Sequence, residues 1–334
     1  MELTPKVCDI VVVGPCVAVT GCAGFVGSNL VDFLLSRNYK VIGFDNLSTG
    51  RIQFLEKALS NPNFNLVKYD FVKDKGLAEL LQNCFRIYHF SANADVRNGP
   101  KHTDRDLMQN TLATYNVLEA SKIAEVQEFV FSSTGSVYGE SSSIPTPESA
   151  PFPIQTSLYG ASKLAGEGLA QAFSAAFDIK VWIFRFVSIL GPRYSHGHVY
   201  DFMSNLYKDP SYLSVLGNGG QRKSYLNVTD CLEAIEIALL KSSERLNIFN
   251  LGHQEYCDVK QSLTWILDEL ELNPELSFED KERGWVGDNP FIFLDTKKIR
   301  GLGWIPKYSI EESVRGTVRF LQDNKWLFRQ AREQ

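Results

Sequence analysis

Tyr159 and Lys163 stand four residues apart in the stretch Leu158–Ala176. On a helix that spacing puts the phenol and the ammonium on one face, one turn apart. A phenol ordinarily titrates near 10 and is a poor base at neutral pH. A lysine ammonium close by favours the phenolate and would make Tyr159 a usable general base. Tyr-x-x-x-Lys by itself is a common coincidence, so its setting has to carry the argument. An apolar run over Phe129–Ser133 ends in Ser132-Ser133-Thr134, which offers a hydroxyl at the end of a strand. Far upstream, Gly21, Gly24 and Gly27 are spaced G-x-x-G-x-x-G behind the apolar run Val17–Val19. There Gly21 would permit a tight turn, Gly24 a close approach of phosphates, and Gly27 close packing of helix on strand.

The elements around these residues read as alternating strands and helices. Val17–Val19 predicts a buried strand, and Phe25–Leu35 a helix by its 3.6-residue apolar period. A strand, a glycine turn and a helix start form the geometry that holds a pyrophosphate on unpaired backbone N–H groups. Val41–Phe44 reads as the second strand and ends in Asp45-Asn46. An acidic residue there accepts hydrogen bonds from adenosine ribose hydroxyls and repels a 2′-phosphate, which favours NAD over NADP. The loop Asn46–Gly50 suits the adenosine side, and Asp70-Phe71, after a strand over Asn65–Tyr69, suits an adenine contact. Further strands are expected over Phe85–Phe90, Phe129–Ser133 and Lys180–Phe186, and helices over Leu107–Ile123 (with Asn110 inside it) and Leu158–Ala176. This alternation predicts an α/β fold, a doubly wound parallel-sheet Rossmann domain.

Beyond Ser188 the regularity falls off, which points to a smaller mixed α/β substrate-binding domain. The expected division is 1–186 for the dinucleotide-binding domain, with 1–15 an extension before the first strand, and 187–334 mainly for substrate. A helical piece over His196–Asp209, a helix over Asp230–Leu240 and a strand over Phe249–Gly252 are expected. Segments near 225–260 should rejoin the first domain.

Composition narrows the classes. With 334 residues and 44% hydrophobic content the chain can bury a large core. A net charge of -5 gives no basic footprint, which argues against nucleic acid as a partner. The 6 cysteines are scattered with no C-x-x-C pair, so buried reduced thiols are expected rather than a disulfide framework or zinc site. No apolar run reaches the length of a bilayer span, and no basic stretch precedes Ile10–Val19 to make it a signal peptide. A cytoplasmic protein without a membrane partner is the expectation. His196 and His198 flank Gly197 with no nearby cysteine or carboxylate pair, so no metal is expected. Arg193 could touch substrate or merely close the turn after Pro192, and Lys297, Lys298 and Arg300 read as a solvated helix face.

Taken together these residues resemble the extended short-chain dehydrogenase/reductase family, and within it the nucleotide-sugar epimerases. The marks are residues 20–29 (TGCAGFVGSN), 45–50 (DNLSTG), 89–96 (HFSANADV), 131–139 (FSSTGSVYG), the Tyr159/Lys163 pair, 185–193 (RFVSILGPR) and 284–288 (GWVGD). They run over nearly the whole chain. The resemblance implies a reaction triad of Thr134, Tyr159 and Lys163: Thr134 bonds the reacting sugar hydroxyl, Tyr159 takes its proton, and Lys163 tunes Tyr159 and holds the nicotinamide ribose. It implies NAD held by Gly21, Gly24, Phe25, Val26, Gly27, Asp45, Asn46, Ser48, Thr49, Gly50, Asp70, Phe71, Phe90, Ala92, Ala94, Asn110, Ser132, Tyr159, Lys163 and Phe186. The substrate would meet Val96, Thr134, Tyr159, Ser188, Arg222, Lys223 and Arg283, the cations among them clamping a diphosphate.

Dehydratases and decarboxylases of this family usually carry an acidic residue between the Ser/Thr and Val-Tyr-Gly, where this chain has Gly135-Ser136. That favours epimerisation, at C4 of a UDP-hexose such as UDP-glucose or UDP-galactose or an N-acetyl form. Departures are Ser188 for the usual Asn, Lys223 for the usual Arg with Arg222 beside it, and Ala94 for a polar cofactor contact. The rivals are UDP-glucuronate epimerase or decarboxylase, 4,6-dehydratase and CDP-sugar 2-epimerase chemistry. A non-catalytic NAD-binding sensor is the rival of another class, and it has no need of Thr134, Tyr159 and Lys163 together. Relatives pair through the helices matching Leu107–Ile123 and Leu158–Ala176, which implies a homodimer.

Overall fold

The structure, a computed structural model, describes residues 15–93, 99, 101–152, 154–282, 289 and 291–330. Its first half alternates strand and helix: β1 (Cys16–Thr20), α1 (Phe25–Ser36), β2 (Lys40–Asp45), α2 (Glu56–Leu59), β3 (Phe64–Lys68), α3 (Leu77–Leu81) and β4 (Arg86–His89). Next come α4 (Thr103–Asp106), a wide π-type stretch Leu107–Leu112, α5 (Ala113–Ile123), β5 (Glu128–Thr134), α6 (Leu158–Ala176) and β6 (Lys180–Phe186). The rest is finer grained: β7 (Ser188–Leu190), α7 (His198–Leu206), β8 (Tyr212–Val215), β9 (Arg222–Lys223), β10 (Tyr225–Asn227), α8 (Val228–Lys241) and β11 (Leu246–Leu251). It closes with β12 (Cys257–Asp258), α9 (Val259–Leu270), β13 (Glu275–Phe278), β14 (Phe291–Ile292), α10 (Lys297–Arg300), α11 (Ile310–Asp323) and α12 (Trp326–Gln330).

Seven strands lie side by side in the order β11-β6-β5-β4-β1-β2-β3, and every pair is parallel. The order reverses at β1, whose neighbours are β2 and β4. In such sheets the crevice at the carboxyl ends of the strands beside the reversal is where ligands bind. Alternation along the strands feeds two cores, as expected of a parallel sheet covered on both faces. Val130, Trp182 and Phe184 pack with Leu30, Val31, Leu232 and Ile235, under α1 and α8. Phe129, Phe131 and Ile183 pack with Val117, Leu118, Ala170 and Phe173, under α5 and α6. A third core joins Met203, Leu213, Leu263, Ile266, Val314 and Val318 in the C-terminal part. α11 enters that core behind a capping box, Ser309 with Glu312.

The structure adjusts several expected elements. The helix expected from Leu107 starts at Thr103 and passes through the π-type stretch that holds Asn110. The helical piece expected over His196–Asp209 is confined to α7. Of the 225–260 region, β11 joins the central sheet beside β6, whereas β10 pairs with β7 and β12 with β9. Among the described residues no helix is long and apolar enough to cross a membrane.

Candidate active site

The carboxyl end of β5 and the first turns of α6 form one wall of the crevice. Ser157 caps α6 by accepting from the Gly160 N–H at 3.0 Å. A Cβ on Gly160 would lie 2.9 Å from the Ser136 carbonyl oxygen, so glycine here lets α6 close onto the Thr134 turn. Thr134 ends β5, accepts from the Ser136 N–H at 3.1 Å, and has its hydroxyl 3.2 Å from the Ser136 hydroxyl. It also hydrogen-bonds the phenol of Tyr159, which the helix delivers opposite it. Thr134 and Tyr159 therefore meet, with Lys163 one turn further along α6.

Their electrostatics depart from the simplest expectation. Burial pushes Tyr159 up to about 12, and the Asp106 carboxylate adds to the rise while Thr134 opposes it. Burial pushes Lys163 down to about 7, against the pull of Glu167. The Lys163 ammonium donates to the Ser132 carbonyl at 2.7 Å and lies 4.8 Å from the centre of the Phe131 ring. The charge acting on Tyr159 here is thus Asp106, and it disfavours the phenolate, whereas the spacing alone suggested Lys163 acting the other way.

Two buried hydrogen-bond webs back this wall. In the first, Glu167, one turn beyond Lys163, accepts from the Ser133 hydroxyl at 2.5 Å and pairs with Arg185 at 2.7 and 3.0 Å. Arg185 donates on to the Tyr138 hydroxyl at 2.6 Å, and Tyr138 to Asn250 of β11 at 2.9 Å. Glu167 and Arg185 are 0% and 1% exposed, so neither charge has water to fall back on.

The second web runs through His89. Its Nδ1 is 2.9 Å from the Thr20 hydroxyl and its Nε2 2.9 Å from the Thr114 hydroxyl. Thr114 spends its own proton on the Asn110 carbonyl, so Nε2 carries the hydrogen and Nδ1 accepts from Thr20. Burial, with the Lys163 charge beside it, holds His89 down at about 3, neutral. Thr20 in turn accepts from the N–H groups of Phe90 and Ser91. Asn110 was expected at the cofactor, but it is 1% exposed and its amide is committed to Asn93, Asp106 and Ser162. It ties the β4 loop to α6. Glu167, Arg185, His89 and Asp106 were not singled out as site residues from sequence. The signal for Glu167 was its place on the Tyr159/Lys163 face, and for Asp106 its spacing of four from Asn110.

The glycine turn fits a dinucleotide phosphate. Gly21 has φ +68° and an added Cβ would lie 2.8 Å from Ser91 Cα; one on Gly27 would overlap the Gly21 carbonyl. The first intrahelical bond of α1 runs from Ser28 N–H to Gly24 oxygen, and no side chain caps this end. The N–H groups of Phe25, Val26 and Gly27 therefore head the helix without an intrahelical acceptor. Asp45 accepts from the Ala23 N–H at 2.9 Å and the Leu47 N–H at 2.8 Å, leaving lone pairs over. A Cβ on Gly50 would lie 2.6 Å from Asp45 Oδ1, so Gly50 makes room for that carboxylate. Asn46 accepts from Ser48 and reaches Asp70 at 3.4 Å, drawing the two strand ends together, with Thr49 beside them in the loop. The Phe71 ring is buried against Phe44 and Tyr69. Phe90 and Phe186 lie 6.2 Å apart, Ser132 bonds the His89 carbonyl, and Ala92 is half-buried near them.

On the substrate side the two adjacent cations part company. Arg222 and Lys223 are consecutive in β9, so their side chains leave opposite faces. Arg222 is exposed and stacks on the Phe291 ring at 4.0 Å and near Tyr256 at 5.6 Å. Lys223 turns inward and donates to the Asn289 carbonyl at 2.6 Å; burial, with the Lys223 charge added, lowers His198. Arg222, implied by the resemblance as part of a diphosphate clamp, is thus engaged by the aromatic pair. Arg193 bonds Asp32 of α1 at 2.6 Å, tying the turn after Pro192 to that helix. His198 stacks on Tyr225 at 4.8 Å and bonds Ser262, while His196 stacks on Tyr194. Ser188 is exposed at the start of β7. Ala94, Val96 and Arg283 lie outside the described residues.

A family model described as the NAD dependent epimerase/dehydratase family matches residues 17–252. The chain is 31% identical over 316 residues to a putative UDP-glucose 4-epimerase of Methanocaldococcus jannaschii, covering 92% of this chain and 99% of that one. Among solved structures, a UDP-galactose 4-epimerase is similar with TM-score 0.81 at 34% identity, covering 93% of this chain and 100% of the other. A Bacillus cereus UDP-glucuronic acid 4-epimerase in complex with UDP-glucuronic acid and NAD aligns with TM-score 0.83 at 25% identity, covering 92% and 99%.

Proposed function

The chain belongs to the NAD dependent epimerase/dehydratase family, and from that premise we propose that it inverts C4 of a UDP-hexose, with UDP-glucose and UDP-galactose as the foremost pair. The observation that carries this reading is the meeting of Tyr159 and Thr134 beside a turn that bears no carboxylate. A Cβ on Gly135 would lie 2.7 Å from Ile292 Cγ2, and the next position is a serine hydroxyl bonded to Thr134. No acid stands at that turn to drive water elimination or to assist loss of CO2.

NAD, when bound, supplies the acceptor and later the donor of the C4 hydride. The chain's own residues do the rest. Gly21, Gly24 and the head of α1 would hold the diphosphate, and Asp45 the adenosine ribose. Thr134 would bond the C4 hydroxyl and fix its angle to Tyr159. Tyr159 would take the hydroxyl proton as a 4-keto sugar forms and return it when the keto group is reduced from its other face. Lys163 would swing its ammonium from the Ser132 carbonyl region toward the nicotinamide ribose and the phenolate, countering burial and Asp106. Lys223 would be the cation nearest the diphosphate.

The exposed apolar side chains of Leu107 (58%), Tyr115 (41%), Ile123 (65%) and Leu158 (42%) lie along the two helices through which a homodimer would pair. We read the protein as such a dimer in the cytoplasm, and a monomer mass at micromolar concentration would overturn that reading.

The deciding experiment is incubation with UDP-glucose, UDP-N-acetylglucosamine and UDP-glucuronate separately, without added cofactor, with products identified by NMR. A 4-epimer from any one is the expected outcome and ranks the substrates. A keto-deoxy sugar or released CO2 would replace this reading with dehydratase or decarboxylase chemistry. No change in all three, with NAD bound, would move the assignment to another nucleotide or to C2.

A further inference from the structure

The end of the sheet away from the glycine turn holds a pair of sulfurs. Cys16 opens β1, and Cys84 sits in the turn that feeds β4; their Sγ atoms are 3.7 Å apart. The two backbones are held together there, since the Phe85 N–H donates to the Cys16 carbonyl at 3.1 Å and Val17 pairs with Arg86. Both side chains enter the same core as Ala18, Leu81 and Ile87. A disulfide needs Cα atoms about 4.4–6.8 Å apart with Cβ atoms turned toward each other. The two sulfurs already face each other at 3.7 Å, so bringing them to bonding distance is a shift of about 1.7 Å.

We propose that Cys16 and Cys84 are a modification site, a dithiol that a peroxide-class oxidant converts to an intrachain disulfide. Cys16 is the attacking sulfur. The Cys84 sulfur lies within hydrogen-bond distance of it, and Lys40, its partner across the β1–β2 ladder, lends a positive charge; together they outweigh the burial that would raise it. The second proton of the pair is correspondingly harder to remove, and Cys84 is raised. By contrast burial pushes the thiols of Cys22, Cys231 and Cys257 up. The Cys16 thiolate attacks one peroxide oxygen and the O–O bond breaks. The departing oxygen takes up protons to leave as water, and Cys16 holds the other as a sulfenic acid. The Cys84 sulfur then attacks the Cys16 sulfur, the S–O bond breaks, and hydroxide leaves with the thiol proton as a second water. Two thiols are oxidised to one disulfide and one peroxide is reduced to two waters.

The four residue steps along β1 put this pair roughly 13 Å from the glycine turn at 3.3 Å per residue. The crosslink would join the first strand to the turn before β4 and close the intervening loop in the unfolded chain. Turnover should therefore be unchanged by oxidation while the thermal midpoint rises.

The test is treatment of the full chain with hydrogen peroxide, quenching by alkylation in denaturant, and peptide mass spectrometry. The expected result is loss of two alkylatable thiols and a linked peptide joining Cys16 to Cys84. Cys84→Ser should leave a sulfenic acid at Cys16 that dimedone captures, and Cys16→Ser should abolish the link. Persistence of both thiols in the unsubstituted protein, a link to Cys8 instead, or dimedone capture at Cys84 in Cys16→Ser would each overturn the proposal. The wild-type measurement decides the matter even if a serine variant fails to fold.

Discussion

The catalytic wall and the substrate side use neighbouring side chains in opposite ways. On α6, Tyr159, Lys163 and Glu167 are four residues apart, and the helix brings all three to one face against β5. On β9, Arg222 and Lys223 are next to each other, and the strand sends them apart. One reaches a pair of aromatic rings at the surface and the other a carbonyl inside. Proximity in sequence is thus the wrong guide to joint action on a strand and an adequate one on a helix. The two regions also differ in what holds them. The α6 wall is locked by a fully buried ion pair, Glu167 with Arg185, whereas Lys223 donates to a backbone carbonyl beside His198.

The largest expected effect tests the helical face. Tyr159→Phe should lower kcat on the order of 10²–10⁴-fold, the range of a lost general base, and spare NAD binding. Undiminished turnover with bound NAD would remove Tyr159 from the mechanism. Next is the lock behind it. Glu167→Ala leaves Arg185 charged and buried without its partner, and should cost about 3–5 kcal/mol in denaturant unfolding. A loss under about 1 kcal/mol would mean the pair does not hold the wall.

The strand side is sharpened by a paired comparison. Lys223→Ala should raise KM for the nucleotide sugar by roughly 10- to 100-fold, the worth of one charge-assisted contact. Arg222→Ala should stay within about threefold, because a rim contact contributes little. The reverse ranking would show that strand alternation does not sort these cations.

The smallest effect is on stability against pH. Lys163 titrates near 7 in the fold and near 10.4 when unfolded. Between those values the unfolded chain binds more protons, so stability rises with pH there. The cost of burying the charge is full below about pH 7 and lifts as pH climbs toward about 10. Cofactor-free protein should gain at most about 1.4 kcal/mol per pH unit from this group, read as a rising thermal midpoint. Lys163→Met should flatten that slope, and an unaltered slope would assign it to other groups.

Much of the central sheet could be read locally. β6 and α6 fall on the expected residues, since an unbroken apolar run and a 3.6-residue period each need no distant partner to be recognised. The glycine turn was legible for the same reason: three glycines between a strand and a helix have few other uses. The C-terminal part was less so. Its strands β9, β10, β12 and β14 are two or three residues long, too short for any period to register; β9 pairs with β12 and β14, and β10 with β7. α9 and α11 drew no expectation, although Ser309 and Glu312 form a capping box that could have marked the start of α11.

The sequence by itself determined which residues could carry chemistry and, through helix spacing, that Tyr159 and Lys163 would face one way with Thr134 at a strand end nearby. Tertiary structure decided what each charge acts on. It set Asp106 beside Tyr159, turned the Lys163 ammonium to the Ser132 carbonyl, buried Asn110 and drew Arg222 out onto Phe291. Periodicity is a property of the nearest few residues. The neighbours that set a titration or complete a hydrogen bond come from strands and helices tens of residues away, brought together by strand order and register.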